Sequence, residues 1–275
     1  MLSPLETQIL QKIEAVGTPL KNWNVNIYRG ILTGFNDAFI IDEKTKDDLL
    51  KKSPGSAEII RPILRGRDVK QYRAQFADLW LLNTHNGQSS KGIGRIDVPN
   101  NHPHVFQHLI KFKSVLENRK DKGQHWSNLR NCAYFDEFNK EKIIWIELTD
   151  QPKFALDTEG YFLNNTVFFM TGPNLRYLLG FLNSSLCEWY LDKIAATSGA
   201  GTRRWFKVYV EQLAIPQVSK NQQKIIVTLV NEAVLEKTSE ARRRELRHLL
   251  DAEIFALLGL SESEANLISS QQPSS

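Results

Sequence analysis

Apolar residues recur at helical spacing in the first stretch of the chain. Leu5, Ile9, Leu10, Ile13 and Val16 fall on one face. Ser3 stands at an N-cap position, Pro4 follows it, and Glu6 completes a capping box, so a helix is predicted from Pro4 until Gly17 and Pro19 end it. The pattern then changes. Val25, Ile27, Ile31, Phe35, Phe39 and Ile41 lie in a β-branched and aromatic stretch with turn residues at its centre, Thr33 to Asp37. This reads as two strands joined by a tight connection. Thr45 to Lys52 reads as a short helix with Asp48 at N3. Ser53-Pro54-Gly55-Ser56 interrupts it, and Ala57 to Arg61 reads as another helical turn before Pro62.

Leu79 to Asn83 is predicted to be a buried strand. The polar, glycine-bearing stretch from Thr84 to Asn101 is a loop, long enough to suspect a function. Pro103 opens a helix to about Arg119, with Phe106, Leu109, Ile110, Val115 and Leu116 inward. Three strands follow, at Ile143 to Leu148, Phe154 to Leu156 and Thr166 to Met170. Asn174 is read as the cap of an apolar helix through about Ile194. Asn183-Ser184-Ser185 breaks its apolar run and is expected to bond neighbouring backbone. A small-residue loop, Thr197 to Thr202, leads into Arg203-Arg204-Trp205-Phe206-Lys207, where Trp205 and Phe206 read as core anchors.

After Ile215-Pro216, Ser219 and Gln222 form a second capping box, and the chain to Leu258 reads as one or two helices. Gly259 stops them, and Ser261 to Ile268 is a short capped helix. The pattern divides the chain into an N-terminal linker helix (1–20), a main domain (21–217), a helical C-terminal segment (218–268) and a disordered tail (269–275). The fold class is mixed α/β, with a twisted mixed sheet followed by helices.

Composition adds exclusions. The 275 residues are 41% apolar and 24% charged, which rules out a disordered or collagen-like chain. No run of about 18 apolar residues is present, so no membrane-spanning helix or membrane partner is expected. The N-terminus has no apolar core of a signal peptide. Cys132 and Cys187 match no metal or redox spacing and read as free thiols of a cytoplasmic protein. The net charge of +4 tilts toward a polyanionic partner without establishing one.

Catalytic motifs are missing. The Thr197-to-Gly201 run lacks the lysine of a phosphate loop, and there is no dinucleotide fingerprint. Neither Asn-Pro-Pro-Tyr nor Asp-Pro-Pro-Tyr occurs, so the groups with which an amino-methyltransferase holds a flipped adenine are lacking. His104 and His108 are four apart, with His102 just ahead. That spacing allows a metal-dependent enzyme as one alternative, although no Cys or carboxylate completes the set and a polar helix face explains it more simply.

Two segments carry a resemblance. Tyr28 to Asp42 reads YRGILTGFNDAFIID, and Ile59 to Tyr72 reads IIRPILRGRDVKQY. KGQHWSNLRNCAYF (122–135), KIIWIE (142–147), YLLGFLNSSL (177–186) and YVEQLAIP (209–216) follow in order, and RRRELRHLLDAEIFALLGLSESE closes the series. Together they resemble the TaqI-like C-terminal specificity domain of adenine-specific DNA methyltransferases and fused Type II restriction–modification enzymes. The resemblance implies that 21–217 is a target recognition domain for double-stranded DNA. Methyl transfer would come from an N-terminal methyltransferase domain or a separate catalytic subunit. That part would use S-adenosylmethionine, with magnesium if the parent also cuts DNA. The chain itself would supply no catalytic residue, cofactor site or metal site. It reads as the C-terminal portion of a longer enzyme or as a separately encoded specificity polypeptide, the alternative being a specificity subunit of a multisubunit restriction or phage-defence system.

A DNA reader must grip phosphates and read base edges. Arg29 with Thr33 and Asn36 of the following turn is the first candidate group, although that turn would also serve simply to fold the chain. Arg65 and Arg67 flank Gly66, with Asp68 placed to orient one of them. Asn86, Gln88, Lys91 and Arg95 lie in the polar loop, whose composition suits base reading as well as a bare surface. Lys120, Lys122, Trp126 and Arg130 form a basic stretch with an aromatic, and Arg203, Arg204 and Lys207 form another. The run Arg242-Arg243-Arg244, opposite several glutamates, reads as a solvated face.

Overall fold

The computed structural model describes residues 2–194 and 203–271, with backbone alone at Arg203 and Arg204. The small-residue loop expected at 197–202 and the end of the expected tail, 272–275, lie outside the described residues. The chain is mixed α/β as the pattern predicts. It opens with α1 (Pro4–Val16), β1 (Gly17–Pro19), β2 (Asn26–Arg29), α2 (Asn36–Phe39), β3 (Ile40–Asp42), α3 (Glu43–Lys52), β4 (Ile60–Leu64) and β5 (Leu79–Leu82). Next come α4 (Val98–Asn101), α5 (Pro103–Ile110), α6 (Lys113–Asn118), β6 (Lys142–Ile146), β7 (Leu148–Thr149), β8 (Phe154–Asp157), β9 (Phe162–Leu163) and β10 (Val167–Thr171). The chain continues through α7 (Leu175–Leu182), α8 (Ser185–Ile194), β11 (Arg203–Arg204), α9 (Lys207–Val210) and β12 (Ala214–Pro216) to α10 (Lys220–Ala233), α11 (Glu240–Leu257) and α12 (Glu262–Ser270).

The central sheet is antiparallel, in the order β2-β10-β6-β8, and both its faces are covered. Successive side chains of a strand point to opposite faces. Ile143, Trp145, Phe154, Phe168 and Met170 accordingly enter one core, shared with α1, α7, α8, α10, α11 and α12. Ile144, Ala155, Val167 and Phe169 enter a second core, shared with α5, α6 and a mixed sheet in the order β3-β5-β4-β9. This two-sided burial explains why β6 and β10 read as continuous apolar runs.

The two sheets meet at the turn of Asn164 to Thr166. Asn164 Oδ1 accepts from Thr166 Oγ1 at 2.6 Å, and the Asn164 amide donates to Leu64 O at 3.0 Å. Strand β9 pairs in parallel with β4, and the turn feeds directly into β10.

The expected connection at Thr33–Asp37 is not a hairpin. Strand β2 pairs with β10 and β3 with β5, in different sheets, because their apolar residues serve different cores. The chain crosses between the sheets at Gly30, where a Cβ would come within 2.0 Å of Asn164 O. Three local expectations also change. Asp42, not Thr45, caps α3, accepting from the Thr45 amide at 2.8 Å. The helical turn expected at Ala57–Arg61 forms as the end of a 3-10 helix, Pro54–Ile59, and stops short of Ile60 and Arg61, which pair with β5 in β4, a strand that includes Pro62. The helix from Pro103 divides into α5 and α6, which leaves Ile110 and Val115 exposed while Leu109 and Leu116 are buried.

The capping signals hold at both ends of the chain. Ser3/Glu6, Ser219/Gln222 and Ser261/Glu264 form capping boxes. Gly259 ends the helical run with φ +61°. Asn174 makes no side-chain cap; it sits at φ 59° before α7. The helix predicted to run through Ile194 breaks at Asn183-Ser184, and these residues bond backbone as expected. Asn183 accepts from the Phe154 amide at 3.1 Å and donates to Phe154 O at 2.9 Å. Its amide thus grips β8, the edge strand of the central sheet. Trp205 is fully buried and Phe206 partly so. The run Arg242-Arg243-Arg244 is not uniformly solvated: Arg243 is buried and donates to Ala233 O and Leu235 O. No helix among the described residues is long and apolar enough to cross a membrane.

At one end of the β6–β8 pair, Lys142 and Asp157 form a wholly buried ion pair at 2.6 Å. Lys142 also donates to Phe138 O, and Asp157 accepts the amides of Glu159, Gly160 and Tyr161. Removing one partner leaves the other charge uncompensated in the core. Lys142→Met is therefore expected to lower stability by about 3–5 kcal/mol in urea unfolding. Lys142→Met combined with Asp157→Asn should lose less than the single substitution; an equal or larger loss would show that the charge pairing is not what matters.

Candidate nucleic-acid interface

The polar stretch from Thr84 to Asn101 is strapped, not loose. Thr84 Oγ1 donates to Ser127 O at 2.7 Å, and Asn86 Nδ2 donates to Asn131 Oδ1 at 2.6 Å. Gln88 Nε2 donates to Ala133 O at 2.9 Å, and Lys91 pairs with Asp136 at 2.6 Å. The two segments thus run side by side in the same direction, each contact joining residues about 45 apart. Arg95 donates to Asn128 Oδ1 at 3.0 Å, while Asn128 Nδ2 donates to Thr84 O and Ile96 O. Two patches that the sequence presents separately, Asn86 to Arg95 and Lys120 to Arg130, are therefore one surface.

Arg119 locks this surface to the Thr33 turn. It is 7% exposed, stacks on Phe39 at 4.4 Å from the ring centre, and donates to Thr33 O, Trp126 O and Asn128 O. Burial pulls its guanidinium down to about 10. Three carbonyls from two loops converge on one buried cation, so Arg119 organises the face from beneath. Its place at the end of a helix explains nothing of this, and the sequence gives no sign of it.

The neighbouring candidates fall into distinct settings. Arg29 donates to Asn165 O and pairs with Glu147 at 2.7 Å. Arg65 makes a bidentate pair with buried Asp68 at 3.0 Å, so Asp68 orients Arg65, while Arg67 is exposed. The Gly66 amide donates to Thr166 Oγ1 at 3.2 Å, which places Arg65 and Arg29 at the same inter-sheet turn. Arg130 pairs with Asp121 at 3.0 Å. Lys120 is exposed, and Lys122 is exposed with its ammonium on Glu117 O.

Thr33 is buried, with its hydroxyl committed to Asn36 Oδ1 at 2.7 Å. Trp126 is half-buried against Phe106, with ring centres 5.3 Å apart. Lys207 lies apart from the strapped loops; its ammonium is 3.4 Å from Ile27 O at the edge of the central sheet. Arg203 and Arg204 pair through their backbone with Thr149 and Leu148, beside Glu147, and their side chains lie outside the described residues.

Two concavities open on this face. A cleft of about 400 Å³ runs between Arg29–Leu32 and Leu129–Phe135, and Asn165 closes one side. A shallower groove is bounded by Asn86, Lys120–Gln124, Arg130 and Asn131. Asn131 borders both, and sequence reasoning missed it. The one available signal was its place beside Arg130 in the NLRNCAYF run. Cys132 lies in the cleft wall, where burial pushes its thiol up.

The histidine alternative fails on geometry. His102 is buried, with Nδ1 3.3 Å from Ser56 Oγ and Nε2 3.3 Å from Glu58. His108 Nε2 meets Ala38 O at 3.1 Å, and His104 is exposed. Among the described residues no group of three His, Cys, Asp or Glu side chains converges as a metal site.

Comparison with known proteins agrees with this architecture. The chain is 25% identical over 215 residues to Type II methyltransferase M.MjaIV of Methanocaldococcus jannaschii, spanning 74% of this chain and 69% of that protein. Its fold is similar to the Type IIL restriction-modification enzyme MmeI, solved in complex with DNA, with a TM-score of 0.64 at 10% identity over 92% of this chain. It is also similar to the type IIG restriction endonuclease BpuSI, with a TM-score of 0.54 at 15% identity over 91% of this chain. The matches span only 36% and 32% of those two larger chains, so the likeness is one of fold for this region. Residues 61–215, which hold most of β4, the strapped loops and the strands β6, β8 and β10 of the central sheet, match the model of the TaqI-like C-terminal specificity domain. With more than half of its length inside that match, the chain belongs to the TaqI-like C-terminal specificity domain family.

Proposed function

We propose that this chain reads double-stranded DNA for a restriction–modification enzyme that methylates adenine. The observation that carries the reading is the strapped face, where Asn86 to Arg95 and Lys120 to Arg130 form one surface of amides and cations. The family and the methyltransferase relative support it. Methyl transfer, with S-adenosylmethionine as donor, is assigned to a methyltransferase domain or a separate catalytic subunit, and recognition to this chain.

Charge pairing divides the labour among the cations. An arginine held by a carboxylate is oriented but adds little net field. Arg29 with Glu147, Arg65 with Asp68 and Arg130 with Asp121 suit directional contacts to base edges or single phosphate oxygens. Lys120, Lys122, Arg67 and Lys207 are exposed, and among the described residues none of them pairs with a carboxylate. They suit the sequence-independent grip on phosphates, which releases counterions. We assign Arg203 and Arg204 to the same grip because their backbone pairs with β7, close to the inter-sheet turn that also carries Arg29. Gln88, Lys91, Arg95 and Trp126 build the surface more than they touch its ligand, since each is engaged within it, while exposed Asn36 accepts from Thr33 Oγ1 and keeps its Nδ2 donor for a phosphate oxygen.

Two outcomes follow. Selection from random duplexes should enrich a defined sequence, with affinity falling steeply as salt rises. Lys120→Ala with Lys122→Ala should lower the slope of log affinity against log salt by about 2, without changing the enriched sequence. Binding that is insensitive to salt, or no binding to any duplex, would overturn the reading. Arg119→Met separates scaffold from contact. It should lower stability by about 2–4 kcal/mol, because three carbonyls lose their donor. The salt slope of the folded protein should stay unchanged, and a reduced slope would make Arg119 a phosphate contact instead.

A further inference from the structure

Asn131 stands where the two concavities of the strapped face meet, between the cleft beside Arg29 and the groove bounded by Lys120, Lys122 and Gln124. Its side chain is exposed yet not free to turn. Asn86 Nδ2 donates to Asn131 Oδ1 at 2.6 Å, which fixes the oxygen end of the Asn131 amide. Asn86 is itself held at its other end, where Oδ1 accepts the Gln124 amide at 2.8 Å. Gly123 makes room for this nest, since a Cβ there would lie 2.5 Å from Asn86 Oδ1. Both polar atoms of Asn86 are thus engaged within the fold. Asn131 keeps its Nδ2 donor and a second lone pair on Oδ1, unengaged among the described residues. A side chain held in place by a neighbour that is itself fixed by the fold is how a reading group is preorganised.

We propose that Asn131 is a specificity-determining residue that reads an adenine edge, with Asn86 as its positioning residue. An amide offers one donor and one acceptor side by side. In the major groove adenine presents the complement, an N6 donor beside the N7 acceptor, whereas guanine presents two acceptors. Cations on both sides of Asn131, Lys120 and Lys122 in the groove and Arg29 in the cleft, hold the backbone of the same duplex. The proposal rests on the DNA-reading function above and adds to it the residue and the base.

The test is duplex selection with the full chain, its Asn131→Ala variant and its Asn86→Ala variant, followed by affinity measurement on each single-base variant of the enriched site. The wild-type site is expected to contain one A·T pair at which Asn131→Ala no longer discriminates. Affinity for that site should fall roughly 5- to 150-fold, while preferences elsewhere and the salt slope are kept. Asn86→Ala should relax the same position by a smaller factor, an effect that a merely structural role would spread over the whole site. Unchanged preferences in Asn131→Ala, a loss spread over all positions, or a loss at a pair other than A·T would overturn the assignment. Enrichment of no sequence by the wild type would overturn the DNA reading itself, a result distinct from these.

Discussion

The central sheet is buried on both faces, and the rest of the molecule follows from that. Ile143 and Trp145 enter one core while Ile144, between them, enters the other. A shift of one residue in the pairing of β6 with β10 would exchange the two cores' side chains. The register is held at one edge by Asn183 on the backbone of β8 and at the end of β6 by the Lys142–Asp157 pair. Because the C-terminal helices cover one face, the second sheet and the strapped loops must lie on the other. The inter-sheet turn of Asn164 to Thr166 is where backbone enters the central sheet from the second one, and Arg29, Arg65 and β11 gather around it.

The strapped face is then rigid by construction. Its hydrogen bonds run between segments about forty-five residues apart in sequence, and buried Arg119 draws in a third. A reading surface needs this, since a side chain that must be ordered on binding loses conformational entropy at that moment. The paired arginines share the feature: each arrives at the surface already oriented by a carboxylate or carbonyl. The modest net charge of +4 is consistent with such a design, because several cations are neutralised where they stand.

Local signals in the sequence were legible where one residue acts on its neighbours. Two capping boxes, the capped helix from Ser261, the stop at Gly259, the apolar runs of β6 and β10, and the backbone-bonding role of Asn183 all follow from spacing alone. The crossing between sheets at Thr33 was not legible, because β2 and β3 choose partners more than thirty residues away. Arg119 and Asn131 were hidden for the same reason. The one is buried by loops that converge only in the fold, and the other is made a candidate by Asn86, far off in sequence. The motifs that resemble the specificity-domain family carried what local spacing could not, namely the family itself.

The central claim is that duplex DNA lies on the strapped face and not on the helical C-terminal segment. Hydrogen exchange of the full chain, with and without a duplex enriched by selection, tests this most directly. Protection should appear at 84–97 and 119–136 and around the turn at 164–166, with α10, α11 and α12 unchanged. Protection confined to those three helices, or no change at the strapped loops while DNA is bound, would contradict the account.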